Sequence, residues 1–116
     1  MKRPADQERV YVEAVLGTYS KLPETPTRPS RQDRRLAREL YRRGVPFRTI
    51  RAALILAAAR RILRSGPSLP QVRTLHYFLP AIDELLEHPP DPGYVQYLDA
   101  KLRPFASKKT ALLGER

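Results

Sequence analysis

The chain has 116 residues and a formal net charge of +10, and 17 of its 22 basic residues are arginine. It contains no cysteine, which excludes a disulfide scaffold, thiolate metal ligands and thiol catalysis. No apolar run reaches the roughly 18 residues of a membrane span, so the sequence predicts a soluble cytoplasmic protein without a membrane partner.

The first predicted element is a helix over residues 6–16, which Gly17 ends as a C-terminal glycine commonly does. Its apolar face comprises Val10, Tyr11, Ala14 and Val15. Residues 18–29 contain three prolines, which favour an extended connector.

The second predicted helix begins at Ser30, where Asp33 three residues later completes a capping box. Gly44 is expected to end it. Its apolar stripe comprises Leu36, Ala37, Leu40 and Tyr41. A second stripe at helical spacing comprises Arg31, Arg35, Arg38 and Arg42.

The third predicted helix follows Val45-Pro46 and extends over residues 47–64. Proline is favoured at the first helical position. No polar residue occurs from Ala52 to Ala59, so this part of the helix is apolar on every side. Such a helix belongs at the centre of a bundle.

Two further helices are predicted in the second half of the chain. The fourth is capped by Ser68, and Pro80 is expected to kink or split it near residues 77–79. The fifth is capped by Asp91 and stops at Pro104. Its apolar set comprises Tyr94, Val95, Leu98 and Leu102.

These elements predict an all-α fold, a compact bundle of about five helices with a long apolar central helix. Residues 1–29 form an N-terminal helix and a proline-rich connector, residues 30–103 the helical core, and residues 104–116 a flexible tail. The expected core residues are Leu36, Leu40, Ile50, Leu54, Ala57, Leu75, Leu79 and Ile82.

The charge of the chain is concentrated in one segment. Residues 28–64 contain twelve arginines and two acids, so the segment alone accounts for the net charge of +10. Residues 74–100 contain five acids and no lysine or arginine. This asymmetry favours a polyanionic partner, or a self-complementary one.

The chain offers few residues for catalysis. His76 lies in an apolar helical run and His88 at a helix end, where packing and capping roles are expected. Asp83 and Glu87 share a helix face, but a magnesium site generally draws its ligands from several elements. We therefore expect no enzymatic activity, no metal and no cofactor.

The arginine stripe is the strongest functional signal, because guanidinium groups bind phosphates through two parallel hydrogen bonds. The predicted helical hairpin has the apolar spacing of a helix-turn-helix unit. However, the third helix continues where a further turn and a polar recognition helix would be needed, which favours backbone binding without base readout. The predicted nucleic-acid contacts, with DNA favoured over RNA as the partner, are Arg31, Arg35, Arg38, Arg42, Arg48 and Arg51.

An alternative is that the basic face docks on the acidic fourth and fifth helices of the same or another molecule. The chain would then be a protein-protein interaction module or a self-associating adaptor, with the acidic helices holding a protein partner or a second copy.

Residues 11–86 resemble the C-terminal helical domain of the DnaD/DnaB-like replication initiation proteins of bacteria and phages. The resemblance includes Leu16-Gly17, a D-x-x-x-A-x-x-L pattern that begins at Asp33, the Gly44-Val45-Pro46 turn and the aromatic run 77–82. That family's late helix usually carries Y-x-x-x-I-x-x-x-W; here the matching positions are Tyr77, Ala81 and Leu85. The resemblance implies DNA binding and helicase-loading or primosome partners, in replication initiation or in a mobile element.

Overall fold

A computed structural model describes residues 4–114, and in this range the backbone forms five α-helices, one 3₁₀ helix and no strand. The helices are α1 (Pro4–Lys21), α2 (Arg31–Arg42), α3 (Phe47–Ile62), α4 (Leu79–Glu87) and α5 (Pro92–Gly114), with the 3₁₀ helix at Leu75–Phe78. The all-α class and the helical bundle are confirmed.

Helix α1 is longer than predicted, because Gly17 lies inside it and the helix ends only at Lys21. A glycine in a helix interior is less favourable than alanine by about 1 kcal/mol. The side chains around it are buried, with Val15 and Tyr19 both at 0% exposure. Their burial contributes about 1.5–3 kcal/mol for a large apolar side chain, which outweighs the cost of the glycine.

The buried face of α1 also differs from the predicted one. Val10 is 52% exposed, whereas the buried side chains belong to Val12, Val15, Leu16 and Tyr19. This face packs against α2 and α3. The predicted apolar face is therefore displaced by about one residue toward the N-terminus of the helix.

Both predicted ends of α2 are confirmed. The Ser30 hydroxyl accepts a hydrogen bond from the Asp33 N–H at 3.1 Å, and the Asp33 carboxylate accepts one from the Ser30 N–H at 2.9 Å. Gly44 follows the helix with a φ of +76°, in the left-handed region that favours glycine.

Helix α3 begins at Phe47 as predicted and ends two residues before the predicted limit, at Ile62. Pro46 is its N-cap rather than its first helical residue. The helix packs against α1, α4 and α5. Its buried residues are Ile50, Ala52, Ala53, Leu54, Ile55, Leu56, Ala58 and Ala59. Of the predicted core, Ala57 and Leu79 are only partly buried, while the other six residues are buried.

The predicted start of the fourth helix at Ser68 is wrong, because residues 63–74 form no helix. The segment is instead held to the connector that follows α1 and to the end of α3. The Val72 N–H donates to the Glu24 carbonyl oxygen at 2.9 Å, and the Arg61 guanidinium donates to the Pro70 carbonyl oxygen. Helix α4 begins only at Leu79, so Pro80 lies in its first turn, where proline is tolerated.

The predicted cap of α5 is confirmed, and its predicted end is wrong. Asp91 accepts a hydrogen bond from the Tyr94 N–H at 3.2 Å. Pro104 does not stop the helix, which continues to Gly114. The segment expected to be a flexible tail is therefore helical from Pro104 to Gly114, and residues 115–116 lie outside the described range.

Lys109 explains why α5 continues past its proline. Its ammonium group donates to the carbonyl oxygens of Ser20 at 2.7 Å, Leu22 at 2.6 Å and Thr25 at 2.8 Å. Carbonyl groups at the end of a helix have no partner within it, and the negative end of the helix dipole attracts cations. Lys109 thus joins α5 to the end of α1 and to the connector that follows it.

Asp33 is a fully buried charged residue, with 0% of its surface exposed. One carboxylate oxygen caps α2 through Ser30, and the other accepts a hydrogen bond from the Leu75 N–H at 2.9 Å. The side chain therefore joins the start of α2 to the start of the 3₁₀ helix.

Replacing Asp33 by alanine is expected to lower the free energy of unfolding by about 2–4 kcal/mol. Two backbone N–H groups would lose their acceptor, and an unsatisfied buried donor costs roughly 1–3 kcal/mol. Urea denaturation measures the change. The exposed Glu39→Ala on the same helix is the control, and a change as small as that of the control would contradict the capping role of Asp33.

Replacing Lys109 by methionine is expected to loosen the end of α5, since the side chain keeps its length but loses its hydrogen bonds. A hydrogen bond from a charged group is worth about 1.5–3 kcal/mol, and this ammonium group donates to three carbonyl oxygens, so the loss should exceed about 1.5 kcal/mol. Hydrogen exchange should accelerate at amides beyond Pro104. Lys108→Met changes an exposed neighbour and should leave the exchange unaltered; equal exchange in both variants would exclude the anchor.

Candidate nucleic-acid interface

The predicted arginine stripe lies on the side of α2 that faces away from the core. At 3.6 residues per turn, Arg31, Arg35, Arg38 and Arg42 fall within about 60° of the helix circumference. All four residues are exposed. The buried residues of the helix, on the opposite side, are Asp33, Leu36, Ala37 and Leu40. The row of arginines is roughly 16 Å long at 1.5 Å rise per residue.

Ion pairs with α1 divide the arginines of α2 into two groups. Arg42 pairs with Glu8 at 3.3 Å, and Arg34, beside the stripe, pairs with Glu13. In residues 4–114, no ion pair involves the remaining three members of the stripe. These three, Arg31, Arg35 and Arg38, are called the outer row.

The two predicted arginines of α3 are exposed, but they differ in their neighbours. Arg51 pairs with Asp99 of α5 at 3.3 Å, whereas Arg48 has no ion pair among the described residues. Helices α2 and α3 both pack on α1. The six predicted contacts therefore include four without a carboxylate partner, Arg48 and the outer row, and two that are paired, Arg42 and Arg51.

The arginines at the end of α3 have structural roles. Arg60 donates two hydrogen bonds to the Glu84 carboxylate, at 2.8 and 3.1 Å, and these hydrogen bonds lower the pKa of Glu84. The side chain of Arg61 is only 6% exposed and pairs with Glu24 at 3.2 Å. Its guanidinium also lies 5.2 Å from the ring centre of Tyr77. These contacts fix α4, the connector after α1 and the 3₁₀ helix against α3.

The acidic segment is largely used within the molecule. Glu84 and Asp99 pair with arginines of α3, and Asp91 caps α5. Asp83 and Glu87 stay exposed on α4, and no ion pair of the described residues involves them. Few carboxylates thus remain for a partner's basic face.

The histidines do not lie with the arginine stripe. His76, expected to pack in a helix, is instead exposed on the 3₁₀ helix, because Leu75 and Phe78 occupy the buried side. His88 is exposed at the end of α4 and lines a cavity of about 260 Å³ with Glu84 and Arg60. In residues 4–114, no group of three or more histidines and carboxylates is arranged to hold a metal ion.

Two aromatic residues near the arginines contribute to packing. The Tyr11 hydroxyl donates to the Val45 carbonyl oxygen at 2.7 Å, and the ring of Tyr11 meets that of Tyr41 edge-on at 5.1 Å. Phe47 is partly buried against the core. These contacts favour a packing role for Tyr41, which the sequence places on the apolar stripe of α2, and for Phe47.

The exposed aromatic residues of α5 were missed by the sequence analysis. Tyr94 was predicted on the apolar face, but it is 52% exposed, and Tyr97 and Phe105 are 50% and 41% exposed. The predicted partners Val95, Leu98 and Leu102 are buried. A signal was present in the sequence for Tyr97, which is out of register with the buried positions, whereas Phe105 follows Leu98 by seven residues and Leu102 by three and so has the spacing of a buried position.

No family model matches the chain, and neither a curated protein nor a solved structure matches it. Among the described residues, no helix has both the length and the apolar character needed to cross a membrane.

Proposed function

We propose that this is a non-catalytic, cytoplasmic nucleic-acid-binding protein that contacts the phosphate backbone of DNA through the arginine face of α2. The outer row carries the proposal. Its three guanidinium groups are exposed, lie opposite the buried face of the helix and have no carboxylate partner among the described residues. Like charges held this closely attract a polyanion.

The spacing of the outer row suits a row of phosphates. From Arg31 to Arg38 the helix rises by about 10 Å at 1.5 Å per residue. One strand of duplex DNA carries a phosphate about every 3.4 Å along its axis, so this length spans about three phosphates. Each guanidinium can hold a phosphate through two hydrogen bonds.

Binding through this face is expected to be independent of base sequence. Contacts to phosphates set position but carry no direct sequence information. Helix α3 continues from Phe47 to Ile62 without the turn that would precede a separate recognition helix. The resemblance of residues 11–86 to DnaD/DnaB-like domains adds a role in replication initiation, or in a mobile element, to the proposal.

Self-association is less well supported by the ion pairs. If the basic face of one copy docked on the acidic face of another, the acids would have to be available. Glu84 and Asp99 already pair with Arg60 and Arg51 of the same chain. The unpaired acids of α4, Asp83 and Glu87, are fewer than the exposed arginines of α2.

Replacing Arg31, Arg35 and Arg38 together by glutamine is expected to weaken DNA binding at least about tenfold at low salt. The salt dependence should flatten, since each lost phosphate contact lowers the slope of log K against log salt by about 0.9. Fluorescence anisotropy with labelled duplexes of two unrelated sequences, at several salt concentrations, measures both effects.

A control variant removes three positive charges elsewhere, at the exposed residues Lys21, Arg73 and Arg103. Its affinity should change much less. If the two triple variants lose equal affinity, net charge alone causes the binding, and the outer row has no special role. A salt-sensitive oligomer without DNA affinity would support self-association instead.

Replacing Asp99 by asparagine is expected to raise DNA affinity by releasing Arg51 from its ion pair. Asp83→Asn removes the same charge from α4 without releasing an arginine, so it should raise affinity less. Anisotropy titrations at one salt concentration compare the two variants. Equal affinities would exclude Arg51 from the DNA-binding face, while leaving the outer row untouched.

A further inference from the structure

Helix α5 carries a second surface with both aromatic and basic side chains. Its members recur every three or four residues, so they form one line along the helix, roughly 21 Å long at 1.5 Å per residue. All five are exposed. This α5 stripe comprises Tyr94, Tyr97, Lys101, Phe105 and Lys108.

The rings of the α5 stripe are not needed for the packing of α5 on α3. That contact uses Val95, Leu98 and Leu102, each less than 9% exposed. As whole residues, Tyr94 and Tyr97 are about half exposed. Because exposed apolar surface is unfavourable in water, contiguous aromatic surface of this kind marks an interaction site.

The rings and the cations of the stripe are arranged side by side. The ring centres of Tyr94 and Tyr97 lie 6.4 Å apart, and their planes are inclined by 36°. The Lys101 ammonium lies 5.4 Å from the ring centre of Tyr97. Flat apolar faces thus alternate with positive charges, and the stripe itself contains no carboxylate.

The surface continues from Tyr94 onto the end of α3. A cavity of about 240 Å³ lies beside Tyr94 and is lined by Arg60, Leu63 and Arg64. Leu63 is 47% exposed. Arg64 donates to the Pro67 carbonyl oxygen at 2.6 Å, which holds its guanidinium near this surface. Leu63 and Arg64 therefore extend the stripe beyond α5, while Arg60 is held by the Glu84 carboxylate.

We propose that the α5 stripe binds single-stranded nucleic acid, with bases stacked on Tyr94, Tyr97 and Phe105 and phosphates near Lys101 and Lys108. Stacking on aromatic side chains beside a positively charged track is how single strands are bound without sequence preference. The inference rests on the proposed nucleic-acid function but assigns a different face. It draws on a helix outside residues 11–86, the segment that carries the family resemblance.

Two other occupants fit the stripe less well. In a duplex the bases are stacked on one another, and exposing one costs a few kcal/mol. A second copy bound antiparallel across the stripe would place Lys101 against Lys101, since this residue lies at the middle of the line. Like charges in contact are unfavourable.

The test compares a single-stranded DNA of mixed sequence with an abasic strand of equal length, which keeps the phosphates and lacks the bases. The wild-type chain is expected to bind the strand with bases at least tenfold more tightly. The Tyr94→Ala, Tyr97→Ala double variant should lose this preference, and the Tyr94→Phe, Tyr97→Phe double variant should keep it, because phenylalanine still stacks. Circular dichroism verifies that both variants fold.

The two proposals fail in different ways. If the wild-type chain binds the abasic strand and the base-containing strand equally, the stacking surface is wrong while phosphate binding by the outer row stands. If it binds neither strand nor duplex, both proposals fail. If it dimerises without nucleic acid and the alanine variant abolishes the dimer, the stripe is a self-association surface.

A single-stranded RNA of the same sequence forms a further arm, since stacking and phosphate contact are open to either polynucleotide. The proposal is supported if the protein binds the RNA or the base-containing DNA more tightly than the abasic strand. The polynucleotide that it binds more tightly is then identified as the ligand. The preference should depend on Tyr94 and Tyr97 in either case. A preference that survives the alanine variant would place the base contacts elsewhere and overturn the assignment.

Discussion

The orientation of α2 depends on the buried carboxylate of Asp33. One oxygen holds the Ser30 N–H at the start of the helix, and the other holds the Leu75 N–H, 42 residues further along the chain. Water does not replace these contacts, because the residue is 0% exposed. Leu36 and Leu40 follow Asp33 on the buried side of the helix, so the opposite side is left to the arginines. Asp33, which completes the capping box of α2, therefore also determines the direction in which the outer row faces.

The ion pairs change the meaning of the charge asymmetry. In the sequence, a basic segment precedes an acidic one, which suits either a polyanion or self-pairing. In the fold, arginines of α3 contact acids of the later helices: Arg51 contacts Asp99 of α5, and Arg60 contacts Glu84 of α4. The basic and acidic parts thus neutralise each other where α3 meets α4 and α5. Among the arginines of residues 28–64 that have no ion pair, the largest group on one helix is the outer row of α2, away from these contacts.

Two helix caps formed by residues close in the sequence were predicted correctly, whereas the errors arose where residues far apart in the sequence make contact. The caps at Ser30 and Asp91 depend on residues three positions away, and both are confirmed. Gly17 and Pro104 are local helix breakers, yet both helices continue through them. Beyond Pro104, Lys109 hydrogen-bonds carbonyl groups more than 80 residues earlier in the chain. The exposed arginine stripe followed from helical spacing, whereas the Arg51–Asp99 pair depends on how α5 packs on α3.

Aromatic residues show why the second surface was missed. Tyrosine counts as apolar in a periodicity argument, so Tyr94 was grouped with Val95 and Leu98. Burial of a ring depends on what packs against it: Tyr19 meets Phe78 edge-on at 5.9 Å between α1 and the 3₁₀ helix, and both are fully buried. On α5 the buried positions are Val95, Leu98 and Leu102, and Tyr94 and Tyr97 lie beside them, about half exposed. The contact with α3 is therefore filled by aliphatic side chains, and the larger rings of α5 face water.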